Sequence, residues 1–542
     1  MSDTSPLERP TSMREKLAQL IFVRIGSNLP PVQTADEDAG RIQCLLKECP
    51  LGGLILFNGR QGSTAQTLAS LQTESQFPLL VTSDIERGVG QQLLGHTMFP
   101  HAMAFDALGD DAESAVKHFA KLTAAMARAN GIHITFGPVA DVNIDPLNPI
   151  IATRAFGDKP ERVSQLVQAF IEGCQSEGLL ATAKHYPGHG NTHEDSHSEL
   201  PKVDSSREEL EACEFTPFQA AIEADVALIM SAHVQYPALD PTGKPATLSY
   251  PILTELLRNQ LGFQGAEISD SLLMEGVKQE SADEGTLAVE ALEAGVDILL
   301  DVAEPVATLN ALEAAVTQGR LSEERVEEAF NRLWGLKEKI FGGPPRPAGI
   351  FLGNNFMPDE LGEKVATSFA QECAKRAVHL VQDKPEILPL DPKRKLSAVL
   401  IKPFETNLDL PEQPLAAELR KRFAEVSYSE LGPSSEQAEL EEAFEHATGA
   451  EQVLVAMIVK PAAWHRFGLE ERYADLLQKI LQHKNCVLAS LGTPEALKSF
   501  DAVGTQICTY SDVDVSQIAL ADRLVDSGQQ QDPLKVIDQP NA

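Results

Sequence analysis

The stretch 184–197, KHYPGHGNTHEDSH, gathers four histidines, a lysine, a glutamate and an aspartate. Two chemistries suit these residue types. His189, His193, Asp195 and His197 carry the imidazole and carboxylate donors that zinc or iron prefers. Against a metal, Pro187, Gly188 and Gly190 oppose the helix that would face His189 and His193 the same way, so the segment reads as a loop. We therefore expect no metal and no cofactor. The other chemistry is an Asp195-x-His197 dyad, in which the carboxylate fixes the imidazole tautomer and favours its protonated form. A histidine held in this way can donate a proton and later recover one. A solvated loop that happens to be rich in histidine is the plain alternative.

These residues need a scaffold that brings distant positions together. From residue 17 to about 340, short apolar runs alternate with amphipathic helical patterns, as expected for βα units around a parallel sheet. Strand candidates are 17–25, 52–57, 78–83, 134–140, 179–184, 226–232, 265–269 and 296–300, enough to close an eight-stranded barrel. Helix candidates include 112–129, 160–177, 206–223 and 322–340, with Ser205 and Ser206 suited to cap the third of these. In such a barrel the reactive groups sit at the carboxyl ends of the strands. Polar residues do gather there: Asp84-Ile85-Glu86 after the third strand, Asp141 after the fourth, Lys184-His185 at the fifth, His233 after the sixth and Ser269-Asp270 at the seventh.

The Pro- and Gly-rich run after Gly342 marks a boundary. Beyond a helical segment near 359–378, apolar runs at 396–402, 426–431, 452–459, 485–491 and 505–510 alternate with helical patterns at 414–424, 434–447, 471–483 and 516–526. The expected architecture is an α/β chain: a (β/α)8 TIM-like barrel over 10–342, a linker with a helical segment over 343–384, and a smaller open α/β sandwich domain over 385–542. The second domain has neither a GxGxxG nor a Walker sequence, so no nucleotide site is expected in it.

Lys and Arg total 45 against 79 Asp and Glu, a net charge of −34 that repels phosphate backbones and anionic membranes, so nucleic-acid and membrane partners are not expected. The first residues lack an apolar signal core, which leads to the expectation of a cytoplasmic protein. The seven cysteines lack CxxC spacing and read as free thiols rather than a disulfide framework.

The string KHYPGHG followed by DSH resembles the signature of the family 3 glycoside hydrolases, in their bacterial β-N-acetylhexosaminidase branch. ATRAFG at 152–157, MSAHVQYPALD at 230–240, PATLS at 245–249, LGFQG at 261–265 and SDSLLMEGV at 269–277 agree in order. The resemblance implies that Asp270 is the catalytic nucleophile, His197 the general acid/base and Asp195 its partner. It further implies that Arg154, Lys184 and His185 bind sugar hydroxyl and acetamido groups and that Asp84 grips the far hydroxyls. Two departures stand out. Where the family commonly reads D-x-EGGRV, this chain has Asp84-Ile85-Glu86-Arg87-Gly88-Val89, and the family's second Asp of the nucleophile string is Ser271.

The chemistry of the residues agrees. Retaining glycoside hydrolysis needs a nucleophile below the anomeric carbon and a proton donor near the leaving oxygen. Asp270 and His197 can supply these, while Arg154 and Lys184 orient the sugar and favour ionised Asp270. The expected function is a retaining exo-β-N-acetylglucosaminidase whose small carbohydrate substrates are N-acetylglucosaminides, in particular peptidoglycan-derived fragments met in cytoplasmic recycling. The alternatives are a family 3 phosphorylase, with phosphate in place of water, and a barrel aldolase forming a Schiff base on Lys184.

Overall fold

The computed structural model describes residues 7–192, 200–342, 350–352, 355–357, 359–404, 412–461 and 471–526. Seven parallel strands, Phe22–Ile25, Gly53–Leu56, Leu80–Ser83, Ile134–Thr135, Leu180–Tyr186, Leu228–Ser231 and Ala266–Ser269, lie side by side in chain order. Segment 296–300 closes the ring through parallel bridges from Ile298 to Ile268 and from Leu299 to Ile21. The Phe22 N–H donates to the Leu299 carbonyl at 2.9 Å, and the Ser269 N–H donates to that of Ile298 at 3.0 Å. The expected eight-stranded barrel is therefore present. Its strands read as continuous apolar runs because both faces are covered, by the barrel interior and by the helices outside. Leu54, Leu228 and Ile268 are fully buried, and each such side chain contributes roughly 1.5–3 kcal/mol relative to exposure.

At the base of the barrel a charge cluster ties the closing segment to the outer helices. Asp297 is fully buried and receives Arg258 at 2.6 Å, Arg325 at 2.9 Å and Arg332 at 3.0 Å. Arg258 also meets Glu267 at 2.6 Å. Burial opposes ionisation of Asp297, but the three guanidiniums override it and lower its pKa. Burial together with neighbouring Asp297 pushes Glu267 up to about 8.

In the barrel, one strand candidate and one helix candidate depart in kind or number from the sequence expectation. The first strand candidate, 17–25, is split: a helix runs Met13–Gln19 and the strand starts only at Phe22. Its start is set by a capping box, in which the Ser12 hydroxyl accepts from the Glu15 N–H and the Glu15 carboxylate accepts from the Ser12 N–H. The helix expected over 206–223 is two helices, Arg207–Ala212 and Phe215–Glu223. Pro217 has no N–H to give to the Cys213 carbonyl and its ring would press on that carbonyl, so the chain breaks there.

The second sheet has six strands in the order His379–Asp383, Thr505–Cys508, Cys486–Ser490, Gln452–Met457, Leu396–Ile401 and Val426–Leu431. All are parallel except His379–Asp383, an antiparallel edge strand absent from the sequence candidates. Helices cover both faces. Along Gln452–Met457, Val453, Val455 and Met457 join one buried cluster while Leu454 and Ala456 join the other, the period of two that a doubly covered strand requires. The helix Asp359–Ala377 packs against both Ala112–Ala129 of the barrel and Asp514–Val525 of the second unit.

Candidate active site

The loop after the third strand begins Asp84-Ile85-Glu86, and its two carboxylates meet cations from the next two turns of the barrel. Arg154, in a short 3-10 turn at Ala152–Arg154, forks onto Glu86 with Nε to Oε2 at 3.0 Å and Nη2 to Oε1 at 2.8 Å. Lys184, near the end of the fifth strand, places Nζ 2.8 Å from Asp84 and 2.6 Å from Glu86. Lys184 is only 2% exposed, so these ion pairs are little screened by solvent. Burial works against ionised Glu86, yet Arg154 and Lys184 hold it well below the usual carboxylate range. For Lys184, burial favours the neutral amine, but Asp84 and Glu86 raise its pKa and keep it an ammonium. A charged amine shared by two carboxylates suits an anchor for sugar hydroxyls and opposes Schiff-base chemistry, which needs the free amine.

The strand-end pattern put Glu86 on the rim beside Asp84, but no role was expected of it. Asp141, after the fourth strand, is the second such carboxylate. Fully buried, it lies 2.7 Å from His185 Nδ1 and accepts the backbone N–H groups of His185 at 3.2 Å and His189 at 2.6 Å. An acceptor opposite Nδ1 makes that nitrogen the protonated one. His189 itself sits 2.9 Å from the Thr192 hydroxyl, and burial together with neighbouring His185 pushes its pKa down to about 4.

The loop entering the histidine-rich stretch lies tight against the barrel. Gly190 approaches the Val142 carbonyl so closely that a Cβ there would stand 1.6 Å from its oxygen. At Gly188, with φ +138°, a Cβ would meet the Glu214 side chain at 2.7 Å. His193, Asp195 and His197 lie outside the described residues, so the dyad remains an expectation from the sequence.

Asp270 follows the seventh strand. Its Oδ1 accepts the Ser271 N–H at 2.7 Å, and its own N–H donates to Ser231 at 3.2 Å. Ser271 is fixed from three sides. Its hydroxyl donates to Asp301 at 2.7 Å, its carbonyl accepts His233 Nε2 at 3.0 Å, and its hydroxyl accepts the Leu273 N–H at 3.3 Å. Asp301, at the end of the closing segment, has φ +64° and is clasped by Arg24 through Nε at 3.1 Å and through Nη2. Thus Arg24, Asp301 and Ser271 form a chain that ends on the Asp270 carboxylate. His233 is a supporting residue here, its Nδ1 lying 2.8 Å from the Thr247 hydroxyl.

One rim thus collects Asp84, Arg154, Lys184, His185 and Asp270 at the carboxyl ends of the strands. Arg154 and Lys184, expected to steady Asp270, have Glu86 and Asp84 as their carboxylate partners. Residues 12–336 match the profile of the glycosyl hydrolase family 3 N terminal domain. The chain belongs to glycosyl hydrolase family 3.

The chain is similar to a β-hexosaminidase A of Pseudoalteromonas piscicida, 32% identical over 390 residues, a match spanning 64% of this chain and 63% of that protein. A β-hexosaminidase of Methylococcus capsulatus is 38% identical over 267 residues, covering 48% of this chain and 79% of the relative. In three dimensions the chain is similar to a glycoside hydrolase family 3 β-N-acetylglucosaminidase from Paenibacillus, with a TM-score of 0.83 and 29% identity over 95% of this chain and 97% of that one. Both the barrel and the second α/β unit therefore have counterparts in a single family 3 structure.

Proposed function

We propose that this family 3 chain is a retaining exo-β-N-acetylglucosaminidase that releases terminal β-linked N-acetylglucosamine. The observation that carries the reading is the rim pairing of Asp84 and Glu86 with Lys184 and Arg154, beside a carboxylate, Asp270, that is held in place by Ser271. Relatives and a structural neighbour named for hexosaminidase activity support the same assignment.

In the proposed reaction the terminal sugar sits over the rim, its hydroxyls shared between Asp84, Arg154 and Lys184 and its acetamido group toward His185. Asp270 attacks the anomeric carbon as the glycosidic bond breaks, and His197 gives its proton to the departing oxygen. Neutral His197, steadied by Asp195, then takes a proton from water, which displaces Asp270 from the sugar and regenerates both groups. Peptidoglycan-derived fragments are the proposed natural substrates. The seven cysteines are all free thiols, which fits the reducing conditions of a cytoplasmic recycling route.

Aryl glycosides of N-acetylglucosamine, glucose and xylose, assayed side by side in phosphate-free and phosphate buffer at equal ionic strength, test the reading. Preferred cleavage of the first, with free sugar as product and no acceleration by phosphate, is expected. A sugar 1-phosphate as main product would replace hydrolysis by phosphorolysis. Trapping with a slow substrate should leave the sugar on the peptide containing Asp270, and Asp270→Ala should fold and lose turnover.

A further inference from the structure

The loop 84–101, which carries Asp84 and Glu86, is gripped from outside the barrel. Glu363, on the helix Asp359–Ala377, accepts the Thr97 N–H at 3.1 Å and the Thr97 hydroxyl at 3.0 Å, and pairs with His96. Arg87 reaches the second unit, where its Nη1 lies 3.9 Å from Asp512 Oδ1, an ion pair without a hydrogen bond. Asp512 follows the strand Thr505–Cys508, and its other oxygen is held by Lys460, which follows the strand Gln452–Met457. Both residues therefore stand at the carboxyl edge of the second parallel sheet, where open α/β sheets present their functional loops.

The side chains of Arg87 and Asp512 are 19% and 10% exposed, so their attraction is only partly screened. Neighbouring His101 is 4% exposed, and burial, then Arg87, drive its imidazole well below its ordinary pKa, leaving it neutral. Arg87 and Lys460 are therefore the cations that face Asp512. Burial disfavours an ionised Asp512, but Lys460 and Arg87 outweigh it and hold the carboxyl down at about 2, so it is charged at any working pH.

Arg87 is the residue next to Glu86 in the chain, and Glu86 is already shared by Arg154 and Lys184. Three cations thus stand near one end of the loop, and Glu86 already takes two contacts from Arg154 and one from Lys184, so Arg87 is a competitor for the same carboxylate. We propose that Asp512 is a positioning residue for the sugar site: by holding Arg87, the second domain keeps Glu86 committed to Arg154 and Lys184 and so keeps those two cations aimed at the sugar. Without Asp512, Arg87 turns to Glu86 and displaces Arg154. The inference rests on the reading of the Asp84, Arg154 and Lys184 cluster as the sugar grip. It assigns a role to the second domain and to the arginine by which this chain departs from the family string.

The test is a double-mutant cycle in the full chain, with N-acetylglucosamine affinity and KM and kcat on an aryl N-acetylglucosaminide as readouts. D512N should weaken sugar binding and raise KM by roughly tenfold, with a smaller change in kcat. R87Q/D512N should recover to within about threefold of wild type, because the competitor for Glu86 is gone. Losses that merely add, or a D512N protein that binds as wild type does, overturn the proposal. A crystal structure of D512N should show the Arg87 guanidinium on Glu86, and an unmoved Arg87 overturns the proposal whatever the sugar result. Wild-type protein that binds no N-acetylglucosamine overturns the functional reading instead and leaves that crystal structure to decide the inference. If D512N does not fold, K460M keeps the Asp512 charge on Arg87 and should hold sugar affinity within about threefold. A tenfold loss in K460M counts against the link.

Discussion

Ser271 joins two carboxylates that play different parts: its hydroxyl donates to Asp301 at 2.7 Å while its backbone N–H donates to Asp270 at 2.7 Å. Asp301 is 1% exposed and already charge-paired with Arg24, so it cannot swing to another partner. Ser271→Ala should therefore loosen Asp270 without unfolding the barrel. We expect kcat to fall roughly tenfold and stability to drop by about 1–2 kcal/mol. Ser271→Thr, which keeps the hydroxyl, should retain most of the activity. Steady-state kinetics and thermal melts check both variants, and an unchanged kcat in the alanine variant would count against the positioning role.

Cleavage by His197→Ala should depend steeply on the leaving group. An activated nitrophenyl glycoside departs without a proton and should be cut far better than a natural disaccharide. Asp195→Asn should show a milder form of the same pattern. Equal losses on both substrates would return the dyad to a structural role.

Dialysis against a strong chelator should leave activity intact, because proton transfer and sugar contacts account for the histidines. Loss that added zinc restores would instead establish a metal site among His189, His193, Asp195 and His197.

Stability should fall as pH rises from about 4.5 to about 7 because of Glu214. Its carboxyl is 2% exposed, and burial, then Glu209 and Asp141, push it from 4.5 up to about 7. The folded state therefore holds a proton that the unfolded state has released across this window, so raising the pH favours unfolding until Glu214 ionises in both states. Glu214→Gln should remove that slope and stabilise the protein at pH 8 by on the order of 2 kcal/mol, with little effect near pH 4. Denaturant titrations at the two pH values measure the difference, and parallel curves for wild type and variant would sink the assignment.

The barrel was legible because its strands, such as Gly53–Leu56 and Leu228–Ser231, are buried on both faces and write that burial as unbroken apolar runs. Edge strand His379–Asp383 escaped notice for the opposite reason. Its side chains alternate between partly and more fully exposed, and HLVQD has no apolar run to mark it. Leu17 and Ala18 do lead into the apolar run, but the Ser12 and Glu15 capping box starts a helix that carries them through Gln19. Motif strings located Asp84, Arg154, Lys184, His185 and Asp270 on the rim. What they could not convey was pairing, since Arg154 finds Glu86 across 68 residues of chain, and nothing local to either residue encodes the other.

The arginine cluster around Asp297 has a bearing on how such a protein can change over time. It locks the ring at the base and, among the described residues, shares none with the groups that line the opposite rim. Energetic effects at separated sites without common partners add rather than compound. Loops at the rim can thus be lengthened, shortened or exchanged while closure of the barrel draws on an unrelated set of contacts. For laboratory evolution the practical course is to randomise rim positions freely and to leave Arg258, Arg325 and Arg332 untouched.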